Sequence, residues 1–234
     1  MSFDEICLER VPSEDSFFCL WRNRPSVIIG LNQNARAEVN LEYLEGRGIS
    51  LARRSTGGGA VYHDLQNLNY SIFRPLSASS APNGADAVEC IVNALRALGV
   101  SAEQGGRNDI FVGGRKVSGF ARRVYKDREL VHGTLMYDVD LETLTRVLDA
   151  PGSKLSKKGV ASVRSRVANL KDCLPGISSI EEFQAAMHSL LAGGDGEIVL
   201  SEDEMKAVRE RADSKYSTRG WIMDHVRDCG SDAL

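Results

Sequence analysis

Residues 53–64 read R-R-S-T-G-G-G-A-V-Y-H-D: a doubled positive charge, two hydroxyls, three consecutive glycines, then an apolar step into His63 and Asp64. A plain turn needs one glycine or two, and each glycine in a regular element costs roughly 0.5–1 kcal/mol relative to alanine. A triplet is explained if backbone must come close to a ligand. N–H groups unshielded by any Cβ, beside the charge of Arg54, suit a phosphate. The same residues also fit a strained surface loop with solvated arginines. The stretch matches neither G-x-x-x-x-G-K-[ST] nor G-x-G-x-x-G, which removes a P-loop and a dinucleotide fold from consideration.

Working outward, S-V-I-I-G (26–30) is a short β-branched run stopped by glycine, and I-S-L-A-R (49–53) is a second strand that delivers the arginines into the triplet. Between them Asn40 caps a short helix, L-E-Y-L-E, which stops at Gly46 and Gly48. Downstream, N-Y-S-I-F (69–73) alternates as a strand closed by Pro75, and residues 76–86 form a Ser/Ala/Pro/Gly loop. Ala87, Val88, Ile91, Val92, Leu95 and Leu98 recur at helical spacing, with Gly99 as the stop. Ile110 to Ala121 predicts a hairpin turning at Gly113-Gly114. Glu129 to Tyr137 is a further strand, and Asp140 caps the helix L-E-T-L-T-R-V-L. Ser179-x-x-Glu182 and Ser201-x-x-Glu204 are capping boxes opening late helices. The pattern is an α+β domain over residues 1–195 and a helical C-terminal tail over 196–234, with the basic loop Gly152 to Gly159 as a candidate lid.

Composition narrows the class. With 234 residues, 42% hydrophobic and 26% charged, the chain can bury a substantial core. A net charge of −3 gives no basic field for nucleic acid, and no apolar run approaches the ~20 residues that span a bilayer. The N-terminus has no signal-peptide core. Five scattered cysteines without a C-x-x-C pair suit a reduced cytosol rather than a disulfide framework or a zinc site.

Other candidate residues carry two meanings each. Lys116, in G-G-R-K-V-S-G, lies on a short strand where alternation aims it either at solvent or into a cleft. Asn108-Asp109 is either a turn pair or a magnesium site beside phosphates. His63 and His132 lie near no second metal ligand in sequence and suit hydrogen-bonded structural roles. No cysteine neighbours a histidine or a glycine-rich loop, which gives a thiol nucleophile no direct support.

Taken together, R-R-S-T-G-G-G-A-V-Y-H-D, G-R-N-D-I, R-K-V-S-G, H-G-T-L and S-V-R-S-R-V-A-N-L resemble, in order, the signatures of the lipoate–protein ligase A family, from about Phe18 to Leu191. The resemblance implies a class II biotin/lipoate ligase-like catalytic domain, a mixed β-sheet flanked by helices with an acyl-adenylate in a central cleft. It implies a two-step, AMP-forming reaction. Lipoate attacks ATP to give lipoyl-adenylate, and a lysine of a lipoyl domain then takes the lipoyl group. By motif, Arg54, Gly58, Gly59, Ala60, Val61 and Tyr62 would hold nucleotide and adenylate. Lys116 would contact lipoyl carbonyl and phosphate as the catalytic residue, Asn108 and Asp109 would lie by adenine and Mg2+, and His132 would lie by lipoate. ATP–Mg2+ and lipoate would be substrates, with no permanently bound cofactor. The acceptors would be lipoyl domains of 2-oxoacid dehydrogenase E2 subunits and the glycine cleavage H protein. An apolar tunnel for the lipoyl tail would draw on residues such as Ile72, Val117 and Phe120, which suit core packing equally.

Two departures stand out. Gln66 occupies a position where the family usually has glycine, and is strained if that position needs a positive φ. The family's small C-terminal domain has no counterpart after K-Y-S-T-R-G-W, so a small accessory subunit is expected to support activation. Rival readings are an ATP-independent octanoyl or lipoyl transferase, for which Cys173 is the candidate thiol, and a non-catalytic binder of lipoyl domains.

Overall fold

The computed structural model describes residues 1–11, 14, 16–77, 80–81, 84–149, 167–193 and 196–225. The expected lid, Gly152 to Gly159, lies outside them, as do residues 162–166 of the last motif.

Among the described residues, nine strands form two sheets. β1 (Phe17–Trp21), β5 (Asn67–Pro75), β9 (Arg128–Met136), β8 (Arg115–Tyr125), β7 (Asp109–Val112) and β6 (Ala102–Gly105) make a six-stranded sheet in the order β1-β5-β9-β8-β7-β6, every neighbouring pair antiparallel. The second sheet, β3-β2-β4, joins β2 (Ser26–Ile29) to β3 (Ser50–Arg53) in parallel and to β4 (Val61–His63) antiparallel. Parallel strands need a crossover, here made by two short helices, α2 (Ala35–Glu38) and α3 (Leu41–Gly46).

The core is layered around these sheets. Two helices, α4 (Ala85–Ala97) and α6 (Ile180–Leu191), cover the large sheet, where Val88, Ile91, Leu95, Phe183 and Met187 bury against Leu68, Tyr70, Val117 and Leu135. Each such side chain contributes about 1.5–3 kcal/mol on leaving water. α5 (Leu141–Val147) and α3 pack on the small sheet through Val147 and Leu44 against Val27 and Ile29. A third cluster joins α1 (Ser2–Arg10), through Cys7 and Leu8, to Phe73 and Leu130. The lipoyl-tunnel candidates Ile72, Val117 and Phe120 all lie buried in the main core. After α6 the chain forms α7 (Glu202–Arg211), a π-helical turn (Ala212–Tyr216) and α8 (Arg219–Asp224).

Local signals resolve as the residues dictate. The Asn40 side chain accepts from Tyr43 N–H at 3.1 Å and Asp140 from Glu142 and Thr143 N–H, and Ser201 with Glu204 forms a full capping box. At α6 only half of the expected box forms: Ser179 accepts from Glu182 N–H, while the Glu182 carboxylate turns to the N–H and hydroxyl of Ser178. The 110–121 hairpin turns at Gly113 and Gly114, both with positive φ. Gln66 is not among the positive-φ residues. Its N–H donates to Asp64 Oδ1 and its carbonyl accepts from Tyr137 and Asp138, so the departure from glycine brings no strain.

Candidate active site

β3 ends by presenting two arginines in opposite directions. The guanidinium of Arg53, fully buried, donates to the carbonyls of Gly30, Leu31 and Gln33 on one side and of Trp221 and Ile222 on the other. Trp221 returns a bond from its indole N–H to Arg53 O at 2.9 Å. α8 is thereby clasped to the base of the glycine loop. Sequence reasoning treated Arg53 only as half of a charge pair, and no local signal announces a partner 168 residues away.

Arg54 lies beneath the glycine triplet itself. Its Nη2 donates to Gly57 O at 2.7 Å and Gly59 O at 2.8 Å, Nη1 to Ile28 O, and Nε to Thr56 Oγ1 at 3.0 Å. In a trans peptide the carbonyl and the next N–H point oppositely. Carbonyls drawn down onto Arg54 therefore turn the Gly58 and Ala60 N–H bonds away from it. Among the described residues the N–H groups of Gly57, Gly58 and Gly59 meet no acceptor. Gly58 holds φ +97°, and a Cβ at Gly30 would run into the Gly58 carbonyl, so both positions require glycine. Burial pushes the Arg54 pKa down to about 10, which leaves it charged at neutral pH, and among the described residues its hydrogen bonds go to carbonyls and a hydroxyl, with no carboxylate. A buried cation under outward N–H donors leaves a positive potential on the loop's outer face.

The remainder of the motif is structural support. Ala60 and Tyr62 are buried and pack in the small-sheet core, and Val61 pairs with Ile28. The His63 ring, buried and close to Arg54, is pushed down to a pKa of about 3, chiefly by desolvation, and so is neutral; its Nδ1 meets Asn23 Nδ2 at 3.2 Å. Asp64 joins two turns, accepting from Gln66 N–H and Asp140 N–H.

Lys116 and Asp109 meet across the β7–β8 bulge, Nζ to Oδ1 at 2.7 Å, both side chains about three-quarters or more buried. The pair lies over Gly119, where a Cβ would come within 3.0 Å of the Lys116 ammonium. On its other flank Lys116 is bridged by Val167, and its carbonyl accepts from Ala168 N–H at 2.9 Å, so the V-A-N-L end of the last motif borders the lysine. The Asn108 side chain donates to the Phe120 carbonyl, and its own carbonyl accepts from Phe120 N–H.

β9 ties the lysine to the loop. His132 Nε2 meets Thr56 Oγ1 at 2.8 Å, and the next residue, Gly133, approaches Gly119 O and the Tyr70 hydroxyl so closely that any Cβ would collide. Thr134 Oγ1 accepts from Gly119 N–H at 3.3 Å. The H-G-T of H-G-T-L therefore touches the glycine loop through one residue and the bed of Lys116 through the next two. Asp4, from α1, closes the chain behind His132, an interaction the mixed acid and apolar N-terminus gave no means of anticipating. Cys173 is a partly buried residue of a 3-10 turn (Lys171–Cys173) packed against the main core.

Residues 1–192 match the family model of the lipoyl protein ligase A/B catalytic domain. The chain belongs to that family. It is 40% identical over 223 residues to lipoate–protein ligase 1 of Staphylococcus aureus, a match spanning 94% of this chain and 68% of that protein's length. Among solved structures, the Thermoplasma acidophilum protein Ta0514 with bound lipoic acid superposes with a TM-score of 0.80 at 34% identity, covering 95% of this chain and 92% of that one. A bi-partite lipoate ligase with its E2 lipoyl domain, also from T. acidophilum, gives 0.81 at 33% identity, over 98% and 92%. Lipoate–protein ligase A bound with ATP gives 0.80 at 33% identity, over 97% and 93%. The antiparallel sheet flanked by helices is thus the architecture of lipoate ligase catalytic domains.

Among the described residues no helix is long and apolar enough to cross a membrane, and no group of three or more His, Cys, Asp or Glu is placed to hold a metal ion.

Proposed function

We propose that this chain attaches lipoate to a lysine of lipoyl-domain proteins through a lipoyl-adenylate made from ATP. Family membership supports the activity. The observation that carries the site is the glycine loop drawn over the unneutralised guanidinium of Arg54, its N–H groups turned outward. Joining a carboxylate to the α-phosphorus of ATP brings two anions together, and their repulsion must be offset by fixed donors and cations. The loop N–H groups of Gly58 and Gly59 serve the nucleotide, Ala60, Val61 and Tyr62 seat the loop on the small sheet, and Arg54 acts from beneath by shaping the loop and lending it potential. Lys116 supplies the mobile ammonium. On substrate binding it exchanges Asp109 for the lipoyl carboxylate oxygen and the phosphate, where charge grows on the pentavalent phosphorus and then on departing AMP.

Asn108, anchored to Phe120, holds the hairpin end by the adenine. Mg2+ arrives with ATP. Asp109, the carboxylate freed by that exchange, is a suitable ligand, since Mg2+ on nucleotides takes one or two carboxylates besides phosphate oxygens. His132 borders lipoate from the β9 side. The catalytic unit is residues 1–195, and residues 196–234 are its tail, whose described part carries α7 and α8. Acceptors are E2 lipoyl domains and the glycine cleavage H protein, with a small accessory subunit assisting activation. Dependence on ATP and on intracellular acceptors assigns the enzyme to the cytoplasm.

An ATP-independent acyl transfer through Cys173 is disfavoured by the packing of that residue against the core, away from any histidine partner among its described contacts. The test is intact-mass detection of lipoylated acceptor domain made from lipoate and ATP. Mass gain that needs both substrates and survives Cys173→Ser supports the ligase. Gain from octanoyl carrier protein without ATP, through a thioester on Cys173, overturns it.

A further inference from the structure

We propose that Asp4, on the N-terminal helix, is a positioning residue for the glycine loop, acting through His132 and Thr56. This rests on the reading of the loop as the nucleotide cradle.

The contacts form one buried line. Asp4 Oδ2 meets His132 Nδ1 at 3.1 Å, His132 Nε2 meets Thr56 Oγ1 at 2.8 Å, and Thr56 Oγ1 accepts from Arg54 Nε at 3.0 Å. Asp4 Oδ1 is taken by the Ser71 hydroxyl at 3.0 Å, and Ser71 in turn accepts from the Trp21 indole at 3.1 Å. Asp4 is 4% exposed and Thr56 2%, so water does not substitute for any member. Burial alone would raise the Asp4 carboxyl, but the terminal amine, His132 and Ser71 together hold it below its ordinary value. An ionised Asp4 accepts only, so His132 must present Nδ1–H to it. With its proton on Nδ1, the ring offers Nε2 as an acceptor. The Thr56 hydroxyl, already accepting from Arg54, donates there. Each group has one role left, and the order is set from Asp4 outward.

The line ends on the residue that seats the loop. Thr56 O accepts Leu31 N–H at 2.8 Å, which joins the loop to the turn after β2, and Thr56 shares Arg54 with the carbonyls of Gly57 and Gly59. Without Asp4, His132 is free to place its proton on Nε2, and the Thr56 hydroxyl then loses its acceptor. A buried hydroxyl left in that state rotates or draws in water, and the peptides beside it move with it.

Three readouts on Asp4→Ala and Thr56→Val test this. Nitrogen-15 shifts of wild type should put the His132 proton on Nδ1. In Asp4→Ala, amide exchange at Leu31 should speed about tenfold or more, with Val131 on β9 unchanged, and the KM for ATP should rise about tenfold with kcat nearly constant, a tenfold change being about 1.4 kcal/mol. Adding Thr56→Val to Asp4→Ala should add little, because residues in one hydrogen-bond line are not additive. Thr56→Ser, keeping the hydroxyl, should behave as wild type. Should Asp4→Ala fail to fold, Thr56→Val reads the same link from the loop side. A proton on His132 Nε2 in wild type, unchanged Leu31 exchange, or additive effects would overturn the proposal. Wild type that binds neither ATP nor lipoyl-adenylate would instead overturn the reading of the loop, with the ring shifts and Leu31 exchange still deciding the relay.

Discussion

At the scale of the residue, Lys116 and Arg54 divide between them what both were expected to do. Each brings positive charge to the proposed anion site, but Arg54 is committed to carbonyls and a hydroxyl under the loop, while among the described residues Lys116 has one exchangeable ion-pair partner, Asp109, at 2.7 Å. A side chain held by one ion pair can change partner during a reaction, whereas one held by several carbonyls cannot without dismantling the loop. Lys116→Ala should therefore fold normally, since alanine fits the strand and Asp109, 18% exposed, keeps contact with water. It should lose on the order of a hundred- to a thousand-fold in acceptor lipoylation, the usual effect of removing one pre-organised donor to developing charge. Lipoylation by the mutant within a few-fold of wild type, measured by intact mass, would remove Lys116 from the chemistry. The site was legible to this depth because glycines and a lysine out of place in a strand are local anomalies. The direction of the Arg54 side chain was not. Whether an arginine faces the ligand or the backbone depends on carbonyls at Ile28, Gly57 and Gly59 that only the folded loop brings together.

At the scale of the element, α1 and the C-terminal helices are joined through Glu5. Its carboxylate, 2% exposed, meets Arg123 of β8 at 2.5 Å, Arg211 of α7 at 2.7 Å, Lys215 at 2.9 Å and the Tyr216 hydroxyl at 3.1 Å. Burial by itself would raise its pKa, but Arg123, Lys215 and Arg211 bring it down to about 2. A carboxyl held below its ordinary value of 4.5 adds stability that is complete above pH 4.5 and is lost as pH falls toward 2. The docking of the last helices should weaken across that window, seen as a shift in the emission of Trp221. Glu5→Gln should already be destabilised at pH 7 by about 3–5 kcal/mol, because three cations lose their common partner, and its stability should fall less steeply than that of wild type between pH 4.5 and 2. An unchanged melting temperature in Glu5→Gln would show that apolar packing alone holds the tail. Capped, periodic elements such as α4 and α5 could be read from the chain. α1 could not, because Asp4 through Leu8 are all buried and no polar face marks it as a helix.

At the scale of the molecule, the two half-reactions ask different things of the same cleft. Transfer needs a seated adenylate and an approach for the acceptor lysine, and the loop, Lys116 and β9, proposed to serve it, all lie within residues 1–192, the part that matches the catalytic-domain family. Activation needs, besides these, the pyrophosphate of ATP held in line as the lipoate carboxylate attacks. The match to the S. aureus ligase spans 68% of that relative, and the proposed accessory subunit would act at this step. The structure offers a path for such help. Arg53 clasps the carbonyls of Trp221 and Ile222 on α8 and those of Gly30, Leu31 and Gln33 behind the glycine loop, so a body bound against the tail would bias the loop directly. If the competent loop is only fractionally populated in the 234-residue chain, apparent ATP affinity falls by that fraction and a partner restores it. The chain alone should therefore lipoylate an acceptor from supplied lipoyl-adenylate at least about tenfold faster than from lipoate and ATP, a difference of about 1.4 kcal/mol. Side-by-side initial rates from the two donors decide the matter. Equal rates would mean that the tail already seated on Arg53 gives the loop all the order that activation requires.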